Sequence, residues 1–308
     1  MRILCLLSFL FISIMTKAQR VDSLMLMQDL KELSSDKYEG RKPGTYGGRL
    51  AQYYLINRFK AIGLKEFNEH YKHPFAVLTE KIAKKLPDSV LSNYKYFMGA
   101  NICGYVQGQD SGAIVVSAHY DHVGVIDGKI HNGADDNASG TSALLALAAY
   151  FKANPPEHTL IFVGFDAEEL GMKGSISFLS RPPVPVSRMK LNVNMDMIGT
   201  SSFDKLYIAG TRFWPIFKPQ LKSLISKNSK LDIAFGYDDD NNSRLVRSDH
   251  APFHFLKVPF IYFGVPEHVN YHQPSDDYEN ISHTFFYHTV NFILKTVIEL
   301  DSNFPVIK

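Results

Sequence analysis

The chain has 308 residues, with 33 basic and 31 acidic side chains and a formal net charge of +2. That balance excludes a field strong enough to gather nucleic acid or an anionic membrane surface. The hydrophobic fraction of 45% suffices for one large core, and α/β domains of this length are common.

The first stretch, MRILCLLSFLFISIMTKAQ, carries one Arg near its start and an apolar run from Ile3 to about Met15, followed by small or polar residues. The run is too short to span a bilayer and no stop-transfer pattern follows, so it reads as a secretory signal peptide cleaved after Ala18. Residues 1–18 are therefore set apart from residues 19–308, a single catalytic domain, and the protein is expected to be exported to the periplasm or the exterior without membrane insertion. Cys103 is the only cysteine left after cleavage, which excludes an intramolecular disulfide, and ANICGYV reads as a strand that buries it.

The segment LMQDLKELSSDKYEGRKPGTYGG is polar and turn-rich. Ala51, Leu55, Phe59 and Ile62 then recur at helical spacing up to Gly63. Residues 64–100 are mixed and basic, with no strong period. From Gly112 onward, AIVVSAH, TLIFVGF, KLNVNMD, KLYIAG and VPFIYFG are short runs rich in β-branched and aromatic residues. Between them lie the helix-like SALLALAAYFKAN, which stops at Pro155-Pro156, and FWPIFKPQLKSLISKN. A final amphipathic helix is expected from about His283 to Leu300, with Phe285, Phe286, Thr289, Phe292, Ile293, Thr296, Val297 and Leu300 on one side. Strands alternating with helices predict an α/β fold, a three-layer sandwich whose central, mostly parallel sheet is flanked by helices.

The polar clusters fall where the apolar runs end. AIVVSAH continues into Tyr120-Asp121-His122, HNGADDNASG precedes an apolar helix, TLIFVGF ends in Asp166-Ala167-Glu168-Glu169, and KLNVNMD ends at Asp196. In open α/β sheets that edge is where ligands bind. Two unit charges about 4 Å apart repel by roughly 4 kcal/mol at an effective dielectric near 20. Converging carboxylates would protonate or disperse unless cations held them. His119 and His272 add imidazole nitrogen, which favours zinc over calcium or magnesium, and the set is large enough for a two-metal hydrolytic site. Taken singly, each piece has a plainer reading: Asp135-Asp136-Asn137 as a helix cap, Glu168-Glu169 as a solvated turn, Asp196 as a strand end.

The stretches SAHYDHVG (117–124), NGADDNASG (132–140), FDAEELGMKGS (165–175), NMDMIG (194–199), SDHAPF (248–253) and YHQPSDD (271–277) resemble those of the co-catalytic di-zinc exopeptidases. That family includes secreted bacterial aminopeptidases and the glutamate carboxypeptidases. ELSSDKYEGRKPGT (32–45) resembles its N-terminal approach.

The resemblance implies two zinc ions per chain, peptide substrates, and Asp135 bridging the metals. His119 and Asp196 would complete one ligand set, and Glu169 and His272 the other. Glu168 would be the general base, Asp121 would orient His119, and Tyr271 would donate to the developing oxyanion. It also implies a cis peptide between Asp135 and Asp136, and leaves Asp249 and His250 without a role. His131 and Gln273 depart from the family pattern, in positions expected to touch no proposed ligand.

The expected activity is an aminopeptidase. A carboxypeptidase of the same family, a glutaminyl cyclase and a non-catalytic binding relative are the alternatives. Arg244 and Arg247 are candidates to hold a substrate carboxylate and Asp238-Asp239-Asp240 to hold an amine, while specificity is expected from loops within 200–247 and Val265–Asn270.

Overall fold

The computed structural model describes residues 19–81, 94–236 and 246–306. The expected signal peptide, Asp238-Asp239-Asp240 and Arg244 lie outside the described residues.

Helix α1 spans Ser23–Leu33 and begins at Asp22, whose side chain accepts from the amides of Leu24 and Met25. This corrects the turn-rich reading of the segment. Leu26, Leu30 and Leu33 are buried at helical spacing, an apolar stripe narrow enough to be hidden among polar neighbours. Helix α2 spans Tyr46–Ile62, capped by the Thr45 side chain and closed by left-handed Gly63. It starts before Ala51 because Gly47 and Gly48 form its first turn, packed directly on the carbonyls of Tyr38 and Lys42, where a Cβ has no room. Arg58 clamps Asp29 with bonds of 2.7 and 2.9 Å, tying the two helices together.

The stretch without period forms two strands, β1 (Lys72–Lys81) and β2 (Tyr94–Val106), paired antiparallel at one edge of the sheet. Next come β3 (Ala113–His119), the small ribbon β4 (Gly124–Ile126) and β5 (Lys129–His131), helix α3 (Gly140–Ala153) and β6 (Thr159–Phe165). Helix α4 (Lys173–Ser180), β7 (Met189–Met195), β8 (Lys205–Ala209), α5 (Lys218–Ser226) and β9 (Asp232–Phe235) follow. The chain closes with α6 (His250–Phe255), β10 (Phe260–Gly264) and α7 (His283–Ser302). The eight-stranded sheet runs β1-β2-β6-β3-β7-β10-β8-β9. Its centre, β6-β3-β7-β10, is wholly parallel, and antiparallel pairings on each side make the sheet mixed.

Strand alternation explains the three layers. Ile114, Val116, Leu160 and Phe162 face one way, onto α1, α2, α3 and α7. Val115, Ile161, Val163 and Phe165 face the other way, onto α4 and α6. With both faces covered, apolar residues occupy both parities and the strands read as continuous apolar runs. Cys103 is buried in the second layer, as expected for a strand residue.

Helix α3 is buried along nearly its whole length and carries the site loop at its start. Leu145→Ala is expected to cost about 2–5 kcal/mol of stability, read from urea unfolding. An unchanged midpoint would contradict that packing.

Candidate metal centre

The carboxyl ends of β3, β6 and β7 bring their polar extensions to one edge, and two groups of donor atoms form there. His119, Asp136 and Asp196 make one; His122, Asp136, Glu169 and His272 make the other. Asp136 belongs to both. Its Oδ1 lies 3.3 Å from His119 Nε2 and its Oδ2 lies 3.0 Å from His272 Nε2. His119 Nε2 is also 3.3 Å from Asp196 Oδ1, and His272 Nε2 is 3.2 Å from Glu169 Oε1. Donors bonded at about 2.0–2.1 Å around a tetrahedral ion sit roughly 3.3 Å apart, so donor types and spacing fit zinc. Burial opposes the charge of Asp136, yet His119, His272 and His122 hold its carboxyl well below the usual range. In return Asp136 and Glu169 outweigh burial at His272 and push it up to about 10.

The position between the groups therefore falls to Asp136 and not to Asp135. The side chain of Asp135 is already engaged: Oδ1 accepts from the Gly199 amide at 2.6 Å and Oδ2 meets His268 Nε2 at 2.9 Å. Its amide and that of Asp136 donate to the two carboxylate oxygens of Asp276. The cis peptide likewise lies one residue further along than expected, between Asp136 and Asn137.

Asp121 carries more than the orientation of His119. His119 Nδ1 is 3.2 Å from the Asp121 carbonyl and 3.7 Å from its carboxylate, which also accepts from the amides of Glu168 and Glu169 at 3.0 and 3.3 Å. The turn bearing both glutamates is thus held from β3. Glu168 stands outside both donor groups. Burial and the carboxylates of Asp249, Asp196 and Glu169 outweigh His119 and hold its carboxyl well above the ordinary range. Tyr271 stacks on His272 with ring centroids 4.0 Å apart. Asp166 is structural, accepting from the Ala100 amide at 2.8 Å and from Gln52 at 3.3 Å.

Asp249 is fully buried at the start of α6, and burial pushes its carboxyl up to about 7. His250 stacks on Phe260 at 4.7 Å. Below the site, Asn192 bonds Ser117, Ser117 bonds Asn194 and Asn194 bonds Ser248, a buried polar chain from the sheet to α6. His131 does touch the proposed ligands: its Nδ1 is 3.0 Å from the carbonyl of His272. Arg247 pairs with Glu267 at 2.9 Å on the surface.

Arg41 is fully buried and escaped the sequence reading. Its guanidinium donates to the carbonyls of Leu33 and Tyr120 at 2.7 Å, of Gly133 at 2.8 Å, and of Asn132. One side chain thus fastens the loop after β3 to the loop carrying Asp135 and Asp136. Burial pulls it down to about 10, against the support of Asp136, Asp276, Asp121 and Glu169. Backbone strain gathers beside the donors, with Ala167, Met197 and His272 all in the left-handed region. His122, Asp136, His268 and Arg41 were the residues missed. The second histidine in HYDH was the visible signal for the first, whereas nothing local marks Arg41.

Fold and site together define an α/β sandwich with clustered imidazole and carboxylate donors at the carboxyl edge of its sheet. Peptidase family M28 matches residues 101–297, more than half of the chain, and the chain belongs to that family. Aminopeptidase YwaD of Bacillus subtilis is 32% identical over 178 residues, covering 55% of this chain and 37% of the relative. The match thus spans little more than a third of that relative's length. Among solved structures, the zinc aminopeptidase BSAP of Bacillus subtilis superposes with a TM-score of 0.72 at 18% identity, over 92% of this chain and 96% of that one. Porphyromonas gingivalis glutaminyl cyclase does so with 0.70 at 17% identity, over 91% and 98%. At such identities the likeness is one of fold.

Arg41→Lys leaves a single ammonium for four carbonyls in a fork-shaped site. The metal-free protein is expected to lose about 2–5 kcal/mol in denaturant unfolding, and a loss below about 1 kcal/mol would show that the carbonyls do not depend on the guanidinium.

Proposed function

We propose that the chain is a zinc aminopeptidase that removes the amino-terminal residue from peptides outside the cytoplasm. The observation that carries this reading is the Asp136 carboxylate, which sets one oxygen against each of two adjoining imidazole and carboxylate groups. Asp136 would be shared by two zinc ions, with His119 and Asp196 helping to hold one and Glu169 and His272 the other. Zinc held there supplies a Lewis acid and a water acidified from 15.7 to about 7.

The chain's own residues supply the rest. Glu168, on the turn fixed by Asp121, takes the proton of the attacking water at its carboxylate and returns it to the leaving amine. Tyr271 is assigned the hydrogen bond to the oxyanion, and its stacking on His272 fixes the ring. Asp135 stays out of the chemistry and holds His268 and Gly199 in place.

The glutaminyl cyclase fold is equally close, so fold does not choose between hydrolysis and cyclisation. Two complete donor groups joined by one carboxylate favour hydrolysis. Against carboxypeptidase action, Arg247 is already neutralised by Glu267.

Free-amino, N-blocked and C-amidated peptides separate the readings, each assayed with and without chelator. Cleavage of free-amino and C-amidated peptides, abolished by chelator, is expected; cleavage of N-blocked but not C-amidated peptides would make the enzyme a carboxypeptidase. Glu168→Gln should keep its zinc while turnover falls by about 10²–10⁴, whereas Asp136→Asn should lose zinc as well. Substantial activity in zinc-loaded Glu168→Gln would remove Glu168 as the base. Export predicts a periplasmic or extracellular protein whose first residue is Gln19, which N-terminal sequencing of fractionated cells tests.

A further inference from the structure

We propose that His122 is a direct zinc ligand through Nδ1, so that the two metal positions are unequal: one closed by four protein donors, the other left with three. This rests on the two-zinc reading above.

The ring of His122 is fully buried, and its Nδ1 lies 3.0 Å from Glu169 Oε1 and 3.8 Å from Asp136 Oδ2. With His272 Nε2 at 3.2 and 3.0 Å from the same two oxygens, four donors of the types zinc takes gather within 4.8 Å of one another. His272 and His122 meet edge to face, ring centroids 5.3 Å apart, as two imidazoles sharing an ion do. Gly133 makes room for the ring: a Cβ there would fall 2.5 Å from Cγ and 2.6 Å from Cδ2 of His122.

A purely structural histidine fits the position poorly. Its Nε2 is buried with no hydrogen-bond partner, so only Nδ1 has polar company, and that company is two carboxylate oxygens. Neutral imidazole with its lone pair on Nδ1 would face them with like charge, whereas with its proton on Nδ1 it would leave a buried lone pair at Nε2. A cation between Nδ1 and the carboxylates removes the conflict at Nδ1, while Nε2 stays without a partner among the described residues.

Among the described residues the other position has His119, Asp136 and Asp196. Closed four-ligand zinc sites are structural and three-ligand sites keep a place for water or substrate. The exchangeable place therefore belongs to the His119 side.

X-ray absorption of the two-zinc protein counts imidazoles directly: three shared by the two ions are expected, and two would overturn the proposal. Titration with chelators of graded strength should release zinc from the wild type in two steps. In His122→Ser the tighter step should weaken by at least about 10–100-fold, the range seen for disturbed zinc surroundings, with circular dichroism of the metal-free variant reporting that it folds. One-step release from the wild type, or unchanged affinity in a folded His122→Ser, also overturns it. A wild-type chain that binds fewer than two zinc ions would instead bring down the two-zinc reading itself.

Discussion

Negative charge brought together out of water is the constraint around which this structure is arranged. Asp121, Asp135, Asp136, Asp166, Asp196, Asp249 and Asp276 are all buried within or beside one sheet edge. Several are settled by the polypeptide itself. Asp166 takes the Ala100 amide, Asp276 takes the amides of Asp135 and Asp136, Asp121 takes those of Glu168 and Glu169, and Asp135 takes His268 and Gly199. Asp136, Asp196 and Glu169 have imidazoles for company. Those three are the carboxylates that the polypeptide leaves to its imidazoles, and this division separates the donor groups from their supports more sharply than their place in the sequence does.

The same division explains why two neighbouring aspartates have opposite duties. Asp135 and Asp136 share a loop pinned from below by Asp276 and from behind by Arg41. With both amides and the Gly133 carbonyl fixed, the two side chains leave the backbone in set directions. One reaches His268, the other reaches the donors. Left-handed backbone at Ala167, Met197 and His272 is the local cost of presenting side chains from such short turns, and the surrounding bonds hold it in place.

Much of this was legible in the sequence. The five apolar runs after Gly112 became strands, α3, α5 and α7 fell where periodicity put them, and the polar clusters converged because strand order and direction placed them on one edge. Beyond the ANICGYV half of β2, the β1–β2 pair was not legible, because it lies toward the sheet edge, where exposed Leu78, Tyr96 and Met98 mix with polar residues and no one-sided burial enforces a period. Nor was the register within Asp135-Asp136: both are acidic, and only bonds to residues 199, 268 and 276 tell them apart. Arg41 stayed hidden for the same reason, since apart from Leu33 the carbonyls it fastens lie 79 and more positions away.

The long reach of Arg41 bears on when the site comes into being. The residues that frame the donors span Arg41 to Asp276, and contacts of such separation close late, after the local helices and hairpins have formed. Until then the histidines and carboxylates are scattered along an open chain with little means of gripping an ion. On the two-zinc reading, the donors would be placed to hold ions only once these distant contacts have closed.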